Sequence, residues 1–184
     1  MKIAFNTLPL TTEHKNRGIG YYTKNLLREL EADNSLDIVK FTDNKELNRD
    51  IELVHYPWFD LFFHSLPLLP KFPFVVSIHD VMPLLFPQNY PVGIKGRINN
   101  FLQKTALNRC SCVITDSECS KKDIIKFLKI EKDKISVIPL AAGEEFGVLK
   151  DAQLIHIKRK YNLPDDYLLY VGDANWVKNL PFLI

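Results

Sequence analysis

Apolar residues in this chain come in short unbroken runs, separated by longer stretches where they recur at helical spacing. The stretch from Lys2 to Pro9 opens with such a run, Ile3-Ala-Phe5, and predicts a buried parallel strand. A polar loop follows and turns on Gly18 and Gly20; residues 22–30 then carry apolar positions at helical spacing. This helix is expected to end near Asp33-Asn34-Ser35, ahead of a second strand over residues 36–41. A polar link over 43–50 leads to a third strand over 51–56, stopped by Pro57. Strand, helix and strand in this order predict right-handed crossovers and a parallel sheet.

The next segment, residues 58–70, is aromatic and interrupted by Pro67 and Pro70, so it predicts at most a short helix and a loop. Its apolar load has two readings, core lining or an exposed patch for a hydrophobic acceptor or a membrane surface. Residues 72–78 barely alternate and predict a fourth strand buried on both faces, with His79-Asp80 at its C-terminal end. Pro83, Pro87 and Pro91 exclude one regular helix over 81–92. Residues 95–108 predict an amphipathic helix with Ile94, Ile98, Phe101, Leu102, Thr105 and Ala106 on one face and Lys95, Arg97 and Lys104 mostly off it. A fifth strand is expected over 112–116, a helix opened by a Ser120-to-Asp123 capping box and running to Leu128, and a sixth strand over 135–138 closed by Pro139.

Beyond Pro139 the texture changes. Residues 141–147 form a connector containing Glu144 and Glu145, which either line a site or are solvated. A helix over 152–161, a strand over 167–171 ending at Gly172, and a helix opening after Asp173 complete the chain. The division expected is a first domain over residues 1–146 and the beginning of a second over 147–184. The strand over 167–171 has no partners of its own in sequence, so it is expected to pack on the first domain, to be poorly ordered, or to swap into another copy and make a homodimer through the C-terminal segment.

Composition narrows the function classes. The formal net charge of +2 arises from 24 basic and 22 acidic residues scattered along the chain, which argues against a nucleic-acid partner. No apolar run approaches the roughly 18 to 20 residues of a membrane span, and the N-terminus lacks the apolar region of a secretory signal, so a cytoplasmic location is expected. Cys110, Cys112 and Cys119 lack the spacing of a tetrahedral metal site; Cys110 and Cys112 are expected on one face of a strand, as small buried thiols.

Five groups of residues, in order along the chain, carry a resemblance. Arg17-Gly-Ile-Gly-Tyr-Tyr22, His79-Asp80 with Pro83 and Phe86-Pro87, Thr115-Asp-Ser-Glu118 with Ser120, Val137-Ile-Pro-Leu140, and Tyr170-Val-Gly-Asp-Ala-Asn-Trp-Val-Lys-Asn179 together resemble the group 1 glycosyltransferases of family four, mannosyltransferase-like, retaining enzymes of the GT-B fold. The resemblance implies an α/β fold with a Rossmann-like, doubly wound parallel sheet on the acceptor side, followed by the start of a second Rossmann-like domain that would bind the nucleotide-sugar donor. Of that second domain this sequence has only the opening, without the family's paired-glutamate motif, so the chain alone is expected to be inactive.

In open α/β sheets, ligands bind beyond the carboxyl ends of the strands, where the glycine loop, His79-Asp80 and Asp116-Ser117 are expected to converge. Gly18 and Gly20 offer backbone N–H groups to a phosphate or to the acceptor, or simply permit positive φ and close packing. His79 suits hydroxyl binding or proton relay; Asp80 either orients it, contacts acceptor hydroxyls, or caps the next turn. Ser117 either caps the next helix or reaches the site beside Asp116. By resemblance, Lys178 contacts the donor diphosphate with Gly172 and Asn175 shaping its turn, while Arg17, Tyr21, Asp116 and Ser117 belong to the acceptor side.

The activity implied is transfer of a hexose, mannose foremost, from a nucleotide-sugar to a saccharide or lipid-linked acceptor with retention, without cofactor or metal, by a cytoplasmic protein with peripheral contact to the inner membrane face. The alternative is a non-catalytic sugar- or nucleotide-binding module. A dinucleotide-dependent oxidoreductase is disfavoured, because Gly18-x-Gly20 stands about ten residues after the strand and lacks the third glycine.

Overall fold

The computed structural model describes residues 1–143 and 146–184; the Glu144-Glu145 pair lies outside them. The chain divides into two compact units, Met1–Leu140 and Ala141–Ile184. The first is built on six parallel strands: β1 (Lys2–Asn6), β2 (Asp37–Phe41), β3 (Leu53–Tyr56), β4 (Phe74–Ser77), β5 (Cys112–Thr115) and β6 (Ile135–Val137). Their order is β2-β1-β3-β4-β5-β6, and every neighbouring pair is parallel.

The chain winds from β1 to β2 in one direction and from β3 to β6 in the other. Right-handed crossovers therefore put α1 (Gly18–Ala32) on one face of the sheet and α3 (Ile94–Leu107) and α4 (Glu118–Leu128) on the other. Covered on both faces, the central strands need apolar side chains throughout, which explains their short unbroken runs. The register aligns Tyr56, Val76, Val113 and Ile135 in one row across the sheet, each no more than 3% exposed. Every predicted strand of this unit is present, within two residues at each end.

Three local expectations are corrected. Helix α1 begins at Gly18 rather than Tyr22, so the glycines form its first turn instead of a loop before it, and neither has positive φ. Two short 3-10 turns, Leu8–Leu10 and Glu13–Asn16, fill the interval after β1 and fold back against that first turn. A Cβ on Gly20 would lie 2.3 Å from the His14 carbonyl oxygen and 2.5 Å from that of Lys15, whereas one on Gly18 would meet nothing. Helix α4 begins at Glu118, and Ser117 caps it by accepting from the Ser120 amide at 3.1 Å, so Ser120 to Asp123 is not the capping box.

The third correction concerns α3, where much of the expected apolar face points outward: Ile94, Ile98 and Phe101 are 80%, 56% and 70% exposed and Thr105 is exposed too, while Leu102 is half-buried and Ala106 is buried as expected. Asn99, Gln103 and Leu107, expected off that face, are buried beside Ala106. The cause lies in the turn over residues 61–66, which contains no helix and whose backbone groups have no ladder to join. Gln103 Oε1 accepts from the amides of Ser65 and Leu66 and from the Ser65 hydroxyl, while Asn99 and Asn100 donate to the carbonyls of Phe62 and Leu61. Polar side chains are thus drawn to the inward side. Both readings of the 58–70 segment hold in part, with Trp58, Leu61 and Leu66 in the core and Phe63 and Leu69 exposed. Residues 81–92 form turns around the single-turn helix α2 (Met82–Leu85). Cys110 precedes β5 and is buried, burial pushing its thiol up to about 11, while Cys112 on the strand is only half-buried.

The second unit contains helix α5 (Asp151–Tyr161), a 3-10 turn at Trp176–Lys178 and the single-turn helix α6 (Leu180–Leu183). The predicted strand over 167–171 is not formed; Leu168, Leu169 and Val171 are 88%, 76% and 83% exposed. A strand is defined by hydrogen bonds to a neighbour, and among the described residues this unit holds no other strand to supply them. No described residue of this unit is buried.

Candidate active site

The ends of β4 and β5 set the geometry. Their register pairs Ser77 with Ile114, and two residues further on the same offset brings His79 level with Asp116. His79 Nδ1 and Asp116 Oδ2 are 2.8 Å apart. Asp116 is therefore the carboxylate that holds the His79 ring; Asp80, the alternative considered from sequence, is exposed and accepts from the Met82 amide at 3.0 Å, capping the turn into α2. Ser120 donates its hydroxyl to the His79 carbonyl at 2.9 Å, tying α4 to the same point.

The other side of the ring is closed by α1. Tyr22 packs against His79 edge to face, with ring centroids 4.6 Å apart and planes at 84°. The Tyr22 hydroxyl lies 2.9 Å from Ser77 Oγ, and that oxygen lies 3.1 Å from His55 Nε2 on β3. Three strands and two helices, α1 and α4, therefore meet at the carboxyl ends of the central strands, next to the β1/β3 point where the winding reverses. Ser77 and His55 were not singled out from sequence, and Tyr22 and Ser120 stood there only within the resembled motifs and as helix positions, with no place at the site. The spacing that gives Tyr22 a helical position cannot say which strand end its hydroxyl meets.

Burial dominates the electrostatics here. It lowers the His55 imidazole from its ordinary 6.5 to about 4, so the ring is neutral at pH 7. Burial raises the Tyr22 phenol, with the Asp116 charge adding to the rise and the Ser77 bond opposing it, so Tyr22 remains protonated. A carboxylate at Nδ1 makes that nitrogen the donor, and in the neutral imidazole this leaves Nε2 as the acceptor. His79 Nε2 is buried and has no hydrogen-bond partner among the described residues. The dyad thus contains one unsatisfied nitrogen, on a ring oriented by Asp116 and shielded from solvent.

The remaining expected site residues divide between the two units. Arg17 is the N-cap of α1; it, Gly18 and Tyr21 are exposed at the start of that helix, with Gly20 buried beneath. Ser117 spends its hydroxyl on capping α4 and on a 3.1 Å bond to Ser120 Oγ. In the second unit, Gly172 has φ of +156°, and a Cβ there would lie 2.8 Å from the Tyr170 hydroxyl, which donates to the Asp173 carbonyl at 2.6 Å. Asn175 donates to Asp173 Oδ1 at 3.0 Å and starts the 3-10 turn that ends at the exposed Lys178. Among the described residues no three His, Cys, Asp or Glu side chains stand together as a metal site, and no helix is long and apolar enough to cross a membrane.

Comparison with known proteins agrees with this architecture. Over 113 residues the chain is 31% identical to the serotype-specific mannosyltransferase WbdA of Escherichia coli, an alignment covering 60% of this chain and 14% of that protein. It is also 31% identical over 113 residues to the O-antigen chain mannosyltransferase RfbU of Salmonella typhimurium, covering 61% of this chain and 27% of the relative. The chain therefore matches well under a third of either relative's length. The profile of Glycosyltransferase Family 4 matches residues 39–142, which include β3 to β6, His79 and Asp116. That match spans more than half of the 184 residues, and the chain belongs to glycosyltransferase family 4.

Proposed function

We propose that this chain is the acceptor-side half of a retaining glycosyltransferase, with the opening of its donor-binding domain, residues 147–184, attached. In this reading a hexose, mannose by likeness to the O-antigen mannosyltransferases, passes from a nucleotide-sugar to a saccharide or lipid-linked acceptor at the cytoplasmic face of the membrane. The observation that carries it is the His79–Asp116 pair at the ends of β4 and β5, with Nε2 unsatisfied.

Glycosyl transfer needs the acceptor hydroxyl held in line with the anomeric carbon, and the departing diphosphate neutralised. His79 Nε2 accepts a sugar hydroxyl in a fixed direction because Asp116 holds the ring. Asp80, exposed beside it, is available to a second hydroxyl. The amides of the first turn of α1, at Gly18 and Gly20, are not used within the helix and face substrate oxygens in this scheme, with Arg17 and Tyr21 flanking them. Asp116 and Ser117 support the acceptor side indirectly, one through His79 and the other by fixing the start of α4. Lys178 supplies the cation for the diphosphate, on a turn shaped by Gly172 and Asn175, so the scheme assigns no step to a metal. In this scheme the leaving phosphate takes the acceptor proton on the same face, as the resemblance to family four implies.

The test is sugar transfer from a nucleotide-mannose by the longest reading frame that encodes this chain. His79→Ala should lower kcat by about 100-fold or more, and Asp116→Asn by about 10-fold or more, magnitudes typical of a misplaced reacting hydroxyl. Equal turnover in His79→Ala would remove that residue from the mechanism. Donor binding without any turnover in the parent protein would favour the binding-module reading instead.

A further inference from the structure

Asp116 by itself leaves the His79 ring one freedom. A single hydrogen bond at Nδ1 fixes which nitrogen is paired, yet the ring can still swing about the 2.8 Å line from Nδ1 to Asp116 Oδ2 and carry Nε2 with it. Tyr22 occupies the space of that swing. Its ring meets His79 edge to face at 4.6 Å, so the imidazole turns only by displacing the phenol.

Tyr22 is in turn held at both ends. Gly20 admits the His14 and Lys15 carbonyls where a side chain would clash, which sets the depth of α1, and Tyr22 follows two residues on. Its neighbour Tyr21 is 57% exposed, whereas Tyr22 is half-buried and brings its hydroxyl to within 2.9 Å of Ser77 Oγ. Ser77 is buried and lies 3.1 Å from Nε2 of His55, itself buried on β3. Burial keeps the phenol protonated and the His55 imidazole neutral. With Tyr22 donating to Ser77 and Ser77 donating to His55 Nε2, each proton is used once and both bonds are satisfied. The result is a chain from the middle of the sheet to His79 in which each side chain fixes the next. Burying a phenol, a hydroxyl and an imidazole gains little stability over apolar groups of the same volume. What this chain supplies is direction.

We propose that Tyr22, Ser77 and His55 are positioning residues for His79: with Asp116 they hold its ring in one orientation and so aim Nε2 at the acceptor hydroxyl. What Nε2 meets rests on the transferase reading above; the fixed ring rests on the geometry alone.

Two measurements separate these parts. The 184-residue chain has five histidines, so NMR of the imidazole nitrogens resolves each ring, with His79 identified by its loss in His79→Gln. The parent should show a single His79 ring protonated at Nδ1. Tyr22→Phe, which keeps the packing ring, and Ser77→Ala should each broaden or double the His79 signals while the chain stays folded by circular dichroism. In sugar transfer by the longest reading frame, each of these variants should lower kcat about 10-fold and leave KM for the nucleotide-sugar within about 2-fold. The double variant should be no worse than either single one, because both break the same chain. His79 signals unchanged in both folded variants, or effects on kcat that multiply in the double variant, would overturn the proposal. A parent enzyme without transfer, combined with doubled His79 signals in the variants, would support the positioned ring and remove the transferase reading.

Discussion

Gly18 and Gly20 stand two residues apart in one helical turn, yet they do different work. Gly20 exists for close approach, since the carbonyls of His14 and Lys15 occupy the space a side chain would need. Gly18 opens onto empty space. Gly20→Ala should therefore destabilise the protein by about 2 kcal/mol or more as backbone is pushed aside, while Gly18→Ala should be neutral or stabilising by up to about 1 kcal/mol through the unfolded chain; urea denaturation measures both. His55 gives a second residue-scale expectation. Its folded pKa of about 4 lies below the ordinary 6.5, so between those values the unfolded chain binds the extra proton. Stability from this group is complete above about pH 6.5 and is lost as pH falls to about 4, by about 3 kcal/mol. In urea melts over that window His55→Gln should show a slope smaller by that amount, and an unchanged slope would contradict the burial argument.

At the scale of elements, α3 shows how backbone demands override periodicity. Its hydrophobic stripe is a proper helical stripe, and the helix forms where the spacing predicts, but the side facing the protein is chosen by the turn over 61–66. Gln103 is fully buried and satisfies three donors from that turn. Gln103→Leu keeps the volume and leaves those donors unpaired. It should cost about 2–4 kcal/mol and accelerate amide exchange at Ser65 and Leu66, which hydrogen exchange would detect. The same reasoning explains what was legible in the candidate site. His79 and Asp116 were each visible at the end of an apolar run, but their pairing follows from the β4/β5 register, a property of two strands separated by α3. Asp80, adjacent in sequence, was the natural partner to consider and faces elsewhere.

At the scale of the whole chain, the two units differ in what holds them. The buried hydrophobic core lies entirely within Met1–Leu140. Large apolar residues of the second unit, such as Leu168, Leu169 and Phe182, are exposed. A chain ending at Leu140 should thus unfold cooperatively with an unchanged urea midpoint, followed by circular dichroism, whereas a fall in midpoint would reveal stabilisation by residues 141–184.

The sequence by itself determined the strands of the first unit and their parallel arrangement, because apolar period and glycine and proline placement are local properties that survive without knowledge of neighbours; the family came from the resemblance of its motifs. It also placed His79 and Asp80 at the end of one strand, Asp116 at the end of another and Lys178 near a helix start, though it left their roles open. Only the tertiary structure decided that α1 starts at Gly18, that Asp116 rather than Asp80 holds His79, that Tyr22, Ser77 and His55 surround that pair, and that α3 turns its apolar stripe outward. Each of those depends on which backbone groups and side chains of distant segments need a partner at the same point in space, and that requirement has no expression in the spacing along one chain.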